Sequence, residues 1–460
     1  MFTAETTLPV DCQTAFAWHA RPGALPRLIP PWEPIRIVQS AGSIQDGARV
    51  VLQVRPAGVP VVELVAEHDR YEPPYLFRDR LVRSPFAKWE HLHRFQEHGN
   101  DQCRLIDQID YELPLGAIGQ LADAAVVSKK LAAMFAYRHQ TTRDDLAFHQ
   151  RHSAQPRTIL VTGASGLVGD VLCPLLSTGG HTVRKLTRSQ PDEPNEYQWD
   201  PRQGTLDEAA LDGVDAVIHL AGESIIGRWT DAKKRRILDS RVETTRLLAR
   251  RIAAMNSKPA LVTASGINFY QDGSDRDRQQ DREPRTEASP SGDDFLSEVC
   301  RQWEGAADPA REAGARVAHV RLGMVLSPEG GALAKMLPAF RMGLGGPVGD
   351  GRQVWSWVAR DDAASIFAWA ALSNEVSGPV NATAAESMTS RQFGKTLADV
   401  LGRPAVLPVP AFAARLALGE VADELLLASL DVRGDRTRQL GYQFRFDALE
   451  PALRHMLGKT

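Results

Sequence analysis

Cysteine is scarce in this chain: Cys12, Cys103, Cys173 and Cys300 stand far apart in sequence, with no Cys-x-x-Cys pair. That argues against a disulfide framework or a cysteine-built structural zinc site, and it fits a reducing compartment. Excess charge of one sign is also lacking. A formal net charge of -3 gives no electrostatic case for nucleic acid or an anionic membrane as a partner. The N-terminus has no basic patch followed by an apolar run, so no signal peptide is expected. No apolar stretch approaches the roughly 20 residues needed to span a bilayer. The expectation is a cytoplasmic protein that engages neither membrane nor nucleic acid.

What is present is the composition of a globular chain, 43% hydrophobic and 24% charged, and 460 residues imply two or three domains. A polar seam at His149–Arg157 separates two textures. Before it, short alternating segments (Arg49–Val54, Val59–Ala66, Lys88–Phe95, Cys103–Leu113) read as an antiparallel sheet. The stretch Leu121–Phe148 follows them, with apolar residues at helical spacing. After the seam, the apolar runs Thr158–Thr162, Ala216–Leu220, Ala260–Ala264 and Val317–Leu322 alternate with helical patterns at Leu167–Ser177, Asp231–Met255 and Asp293–Ala313. That alternation predicts an α/β, doubly wound parallel sheet of the Rossmann type. The expected domains are 1–152, 157–403 and a short helical piece at 404–460. The mixed-charge run Asp272–Glu287 reads as a solvated loop.

Gly163-Ala164-Ser165-Gly166-Leu167-Val168-Gly169 follows the first of these apolar runs and opens a helical pattern. In that context the glycines have assigned tasks: Gly163 for the tight turn, Gly166 for close approach to a pyrophosphate, Gly169 for helix–strand packing. The helix N-terminus offers free N–H groups and partial positive charge to phosphates. An NAD binder places an acid at the end of the second strand; here His181–Ser189 ends with Arg188, which suits a 2′-phosphate. NADP is therefore expected as the cofactor, ahead of NAD.

Residues 157 to about 400 resemble an extended or atypical short-chain dehydrogenase/reductase of the epimerase/dehydratase kind. More closely they are similar to an uncharacterised nucleoside-diphosphate-sugar epimerase-like subfamily. The matching residues are Val217–Glu223, Arg228-Trp229, Ser240-Arg241, Phe295–Glu304, Gly343–Pro347, Trp355-Ser356-Trp357 and Ala422–Leu426. The resemblance implies a cofactor groove lined by Leu220, Ala221 and Gly222, and a closing domain of unknown function on the substrate side. It also places Ser265 where that fold keeps a hydroxyl. Its usual catalysts, a Tyr and a Lys four residues later, are missing from Phe295–Cys300. The candidates to stand in are Ser265, Tyr270 and Glu223, with Arg241 as an anion clamp; Tyr270 would need a nearby cation to lower its pKa. Cys300 reads as a small buried helix residue. The glycine-rich stretch Met342–Gly351 with Trp355 and Trp357 reads equally as a loop turning close to a ligand between flat walls or as a flexible substrate-side loop with core tryptophans. Two functions stay open: an NADP-binding epimerase or oxidoreductase acting on a small molecule, and a catalytically silent NADP-binding sensor or scaffold.

Residues 1–152 resemble a START-like, polyketide-cyclase-like helix-grip domain, in an early helix around Thr14–Trp18, a run of antiparallel strands and a long final helix. The resemblance implies a cavity for a hydrophobic ligand. Trp89, His91, His93 and Phe95 share one strand face by the period of two. The sequence places no third ligand beside this His-x-His pair, so no metal is expected.

Overall fold

The computed structural model describes residues 1–113, 126–271 and 283–459. The first part of the predicted helix Leu121–Phe148 and most of the run Asp272–Glu287 lie outside these residues. Contacts divide the chain into two compact units: Met1–Pro156 with Pro174–His181 and His455–Thr460, and Arg157–Cys173 with Thr182–Arg454. The segment from 404 to 454 falls in the second unit. No helix among the described residues is long and apolar enough to cross a membrane.

The first unit is a seven-stranded antiparallel sheet in the order β1-β7-β6-β5-β4-β3-β2. Its strands are β1 (Phe2–Leu8), β2 (Ile35–Ser40), β3 (Arg49–Val54), β4 (Val62–Glu72), β5 (Leu76–Arg83), β6 (Lys88–Glu97) and β7 (Cys103–Glu112). Two short helices, α1 (Cys12–Ala20) and α2 (Ala24–Leu28), connect β1 to β2, and the long α3 (Ser128–His152) follows β7. Helix α1 starts where Asp11 Oδ1 accepts the Thr14 N–H at 2.8 Å, a side-chain cap on an otherwise orphaned donor. The period of two in β6 and β7 buries one face of each strand, so Phe95 and Leu105 join Phe16, Trp18, Phe77 and Leu146 in the core. Cys12 and Cys103, 91 residues apart in sequence, are brought to 2.8 Å Sγ–Sγ in this core as free thiols.

The second unit holds an eight-stranded sheet in the order β11-β10-β9-β8-β12-β13-β14-β18. Its members are β8 (Thr158–Thr162), β9 (Thr182–Thr187), β10 (Glu196–Asp200), β11 (Thr205–Leu206), β12 (Ala216–His219), β13 (Ala260–Gly266), β14 (Val317–Leu322) and β18 (Gly378–Ala382). All neighbours pair in parallel except the β10–β11 hairpin. Ile159, Leu160 and Val161 of β8 are fully buried, as expected for a parallel strand covered on both faces. Short pairs β15 (Met324–Leu326) with β17 (Trp357–Ala359), and β16 (Val354–Trp355) with β19 (Met388–Thr389), lie outside this sheet. The predicted helices are α4 (Gly169–Thr178), α5 (Asp231–Ala254) and, in place of one helix, α6 (Phe295–Gly305) and α7 (Asp308–Glu312). The chain reverses its direction of winding between β8 and β12, and open α/β sheets form their ligand crevice at such a point.

The glycine-rich stretch opens with Met342 and Leu344 exposed, and its tryptophans lie inside. Trp355 and Trp357 are buried. A Cβ on Gly346 would meet the Leu407 carbonyl oxygen at 2.2 Å, so this glycine admits the chain from the C-terminal segment. Asp362 accepts from Tyr442 Oη (3.0 Å), Arg445 N (2.8 Å) and Phe446 N (3.1 Å). It ties its helix to the same segment.

Candidate functional site

Two loops meet at the switch point. Gly163 has φ +69°, a conformation that glycine adopts without penalty, and a Cβ there would stand 2.8 Å from Ala221 N and 2.9 Å from Leu220 C. The loop after β8 and the loop after β12 are thus in backbone contact. Thr162 Oγ1 reinforces the junction by accepting the Ala221 N–H at 3.2 Å and lying 2.6 Å from His219 Nδ1. Burial holds His219 down at about 3, so the imidazole is neutral, and its Nε2 lies 2.9 Å from Thr244 Oγ1. A Cβ on Gly169 would fall 2.3 Å from the Gly163 carbonyl oxygen. Only a residue without a side chain lets α4 begin this close to the loop. Ser165 and Gly166 are exposed at the tip, beside the N-terminus of α4. Arg188 lies exposed just beyond the end of β9.

Glu223 and Arg241 organise the second loop. Lys233 Nζ donates to Glu223 Oε1 at 2.7 Å, and this bond, with the charges of Lys233, Arg236 and Arg188, holds the carboxyl below its ordinary range. Glu223 is therefore an ionised, ion-paired group. Arg241 Nη1 donates to the carbonyls of Glu223 and Ile237, each at 3.0 Å, and its guanidinium lies over Trp303 at 5.0 Å. Arg241 thus braces the loop under Gly222, whose Cβ would meet it at 3.2 Å.

Ser265 and Tyr270 belong to one buried network that the sequence did not disclose. Ser265 Oγ donates to Glu304 Oε1 at 2.7 Å. Glu304 is gripped in a fork by Arg321, with Nε at 2.8 Å and Nη2 at 2.7 Å. Arg321 Nη1 donates to Tyr270 Oη at 2.7 Å, and that hydroxyl donates to Asn381 Oδ1 at 2.8 Å. The cation that Tyr270 needed is present, yet burial dominates and pushes the phenol up to about 12. Its hydroxyl is committed on both sides. Burial also acts to raise Glu304, but the hydrogen bonds and charge of Arg321 outweigh it and hold the carboxyl below its usual range.

The face of α6 that should carry Tyr and Lys carries neither. Leu296, Val299 and Cys300 are buried there, and Ser297 Oγ is spent on the carbonyls of Asn268 and Gln271, each at 2.7 Å. Burial pushes the Cys300 thiol up to about 11, so it is protonated and no ready nucleophile. Sequence reasoning missed a different group at the head of this helix. Glu424, from the turn Ala422–Leu426, is buried and accepts the Leu296 N–H at 3.3 Å through Oε2. Burial, with repulsion from Asp294 and Glu420, raises its carboxyl to about 7. Around it Trp229, Ile237, Leu296, Val299 and Val421 form an apolar cluster, with Phe295 and Leu425 against it. Three of the motifs noted above, Arg228-Trp229, Phe295–Glu304 and Ala422–Leu426, converge here. Asp423 stands beside Glu424 in the sequence and Glu420 four residues before it, so no local pattern singled out Glu424.

In the first unit, the His-x-His strand acquires the neighbour that spacing did not supply: Asp79, His91 and His93 present ligand atoms within 4.8 Å of one another.

With this geometry in place, the chain can be compared with known proteins. Residues 159–382 match the NAD dependent epimerase/dehydratase family, and residues 409–456 match a domain of unknown function, DUF1731. The chain is 36% identical over 304 residues to the human epimerase family protein SDR39U1, covering 65% of this chain and 99% of that protein. The crystal structure of human SDR39U1 (isoform 2) with NADPH aligns at TM-score 0.59 and 34% identity, over 66% of this chain and 100% of that one. A crystal structure described as the nucleoside-diphosphate sugar epimerase from Corynebacterium glutamicum aligns at TM-score 0.81 and 33% identity. That match spans 100% of this chain and 90% of the other.

Proposed function

The chain belongs to the NAD dependent epimerase/dehydratase family, and from that premise we propose that its second unit is an NADP(H)-dependent oxidoreductase of the epimerase type acting on a small molecule. The observation that carries this reading is the cradle at the switch point. Gly163 and Gly169 let the loop after β8, the loop after β12 and the start of α4 pack in backbone contact, which leaves Ser165 and Gly166 exposed beside the helix N-terminus, where a pyrophosphate would lie. Gly163–Gly169 would hold the pyrophosphate, Leu220–Gly222 would flank the nucleotide, and Arg188 would read the 2′-phosphate. The NADPH in the human relative's structure supports NADP over NAD. When bound, the cofactor supplies hydride chemistry. Arg241, Ser265, Glu304, Arg321 and Tyr270 shape the groove and hold its loops. Glu424, with a carboxyl near 7, is the group fit to move a proton at its Oε atoms, in the place of the absent phenol.

The first unit we read as a helix-grip, START-like domain with a hydrophobic ligand. The order of its sheet and its long final helix support this. The C-terminal segment closes the second unit on the substrate side.

The test is NADPH consumption against a panel of small carbonyl compounds, with Glu424→Gln as the diagnostic variant. Gln keeps an acceptor for the Leu296 N–H but has no proton to give. A donor near 7 is protonated below that pH, so wild-type kcat should fall as pH rises through about 7. In Glu424→Gln, kcat should drop about 100-fold and lose that dependence, with little change in KM. An unaltered profile would remove Glu424 from the chemistry. The second reading, a silent NADP-binding sensor, is favoured by Leu296 and Cys300 on the helix that should hold Tyr and Lys. NADPH binding without turnover across the panel would select it.

A further inference from the structure

The first unit buries a cluster of imidazoles and carboxylates that no part of the cofactor reading uses. Register explains how it assembles. Strands β5, β6 and β7 pair Asp79 with His91 and His93 with Asp107, and the period of two points all four side chains to one face. Helix α3 adds His139 from outside the sheet. His91, His93, His139 and Asp107 are all buried.

The spacing is that of ligands around an ion. Asp79 Oδ2 lies 3.3 Å from His91 Nδ1 and 3.3 Å from His93 Nε2. Charge-assisted hydrogen bonds close to about 2.7–2.9 Å. Donor atoms placed tetrahedrally at about 2.0–2.1 Å from zinc stand about 3.3–3.4 Å from each other. The far sides of the rings are arranged to match. His91 Nε2 lies 2.9 Å and His93 Nδ1 2.7 Å from Asp107 Oδ1, and His139 Nε2 lies 2.7 Å from Asp107 Oδ2. A carboxylate hydrogen-bonded behind a ligating imidazole orients it, as Asp107 does at His91 Nε2, so that Nδ1 can take a metal once it gives up its proton. His93 Nδ1, though close to Asp107, is not aligned for a hydrogen bond. Phe77 stacks on His93 at 4.0 Å, and Phe135 meets His91 edge-on at 5.4 Å, so both rings are clamped. Two carboxylates, buried Asp107 and half-buried Asp79, face the rings, with the Arg138 guanidinium close enough to share their charge.

We propose that Asp79, His91 and His93 form a site for one divalent transition ion, zinc by preference, oriented by Asp107 and His139. Three protein ligands leave a fourth position for water or for an oxygen of a bound molecule.

The experiment uses the full chain, freed of any affinity tag and stripped with chelator, titrated with Zn²⁺ by calorimetry and with Co²⁺ by visible absorption. One equivalent should bind, and cobalt should give intense tetrahedral bands without a thiolate charge-transfer band. Asp79→Asn and His93→Gln should each weaken binding at least about 10-fold. NADPH titration of the second unit and far-ultraviolet circular dichroism report whether each variant is folded. The paired thiols are the rival donors, so the double variant Cys12→Ser/Cys103→Ser should retain the ion. No binding at micromolar Zn²⁺, undiminished binding in both ligand variants, or loss of the ion in the thiol variant would overturn the proposal. If the ligand variants fail to fold, the wild-type stoichiometry and cobalt spectrum decide on their own.

Discussion

Gly166→Asp is expected to abolish NADPH binding while leaving the protein folded. A Cβ at position 166 would meet a single atom, the Gly163 carbonyl oxygen, at 3.2 Å. The loop can yield by that small amount. The added carboxylate would sit at the exposed tip beside the start of α4, where a negative charge suits the helix dipole. The fold therefore loses little, but the carboxylate occupies and repels the place of the pyrophosphate. Affinity should fall at least about 100-fold, roughly 3 kcal/mol, with an unchanged denaturation midpoint. Gly169→Ala makes the contrast. Its methyl would lie 2.3 Å from the Gly163 carbonyl oxygen and 2.8 Å from Ala164 Cα, so the loop itself must move. That variant should lose stability together with binding. Calorimetric titration beside denaturant melts separates the two. If Gly166→Asp binds NADPH like the wild type, the loop is not the pyrophosphate site.

The second large effect is on stability. Glu304→Ala strands the guanidinium of Arg321, whose side chain is 4% exposed, between Phe269 at 3.5 Å and Tyr270. Arginine cannot shed its charge to adapt. Ser265 and Arg321 both lose their acceptor, and breaking such a pair costs about 3–5 kcal/mol. Replacing both partners, as Glu304→Met with Arg321→Met, should cost less than Glu304→Ala alone, because no buried charge is left over. Urea melts of the wild type and the two variants measure this. A single variant that loses under about 1 kcal/mol would show that solvent reaches the pair and that it is worth no more than a surface bridge.

The contrast between these two predictions shows what the sequence could disclose. The glycine loop was legible because its physics is local: a strand, a turn and a helix start lie within 12 consecutive residues, Thr158–Gly169. The alternating strands, the parallel runs and the absence of Tyr and Lys from α6 were legible for the same reason. The Glu304–Arg321 pair was not, because its partners lie on different elements and only the docking of α6 against β14 joins them. Asp79 escaped for a related reason: β5–β6 register, set by pairing, decides that it faces His91. Polar residues at inward positions of alternating strands, such as Asp79, His91 and Asp107, were the available clue. Tyr270 was legible as a residue following β13, but its partners were not: Arg321 and Asn381 reach its hydroxyl from β14 and β18.

The central claim is that the switch-point cradle binds NADP(H) and that Arg188 selects it over NAD(H). The most direct measurement is a pair of equilibrium titrations, NADPH and NADH, on the wild-type chain and on Arg188→Ser. A charge-assisted contact to the 2′-phosphate is worth about 1.5–3 kcal/mol, so the wild type should prefer NADPH by about 10- to 100-fold. Arg188→Ser should erase most of that preference while leaving NADH affinity in place. Equal affinities in the wild type, or a preference that survives in Arg188→Ser, would contradict the account.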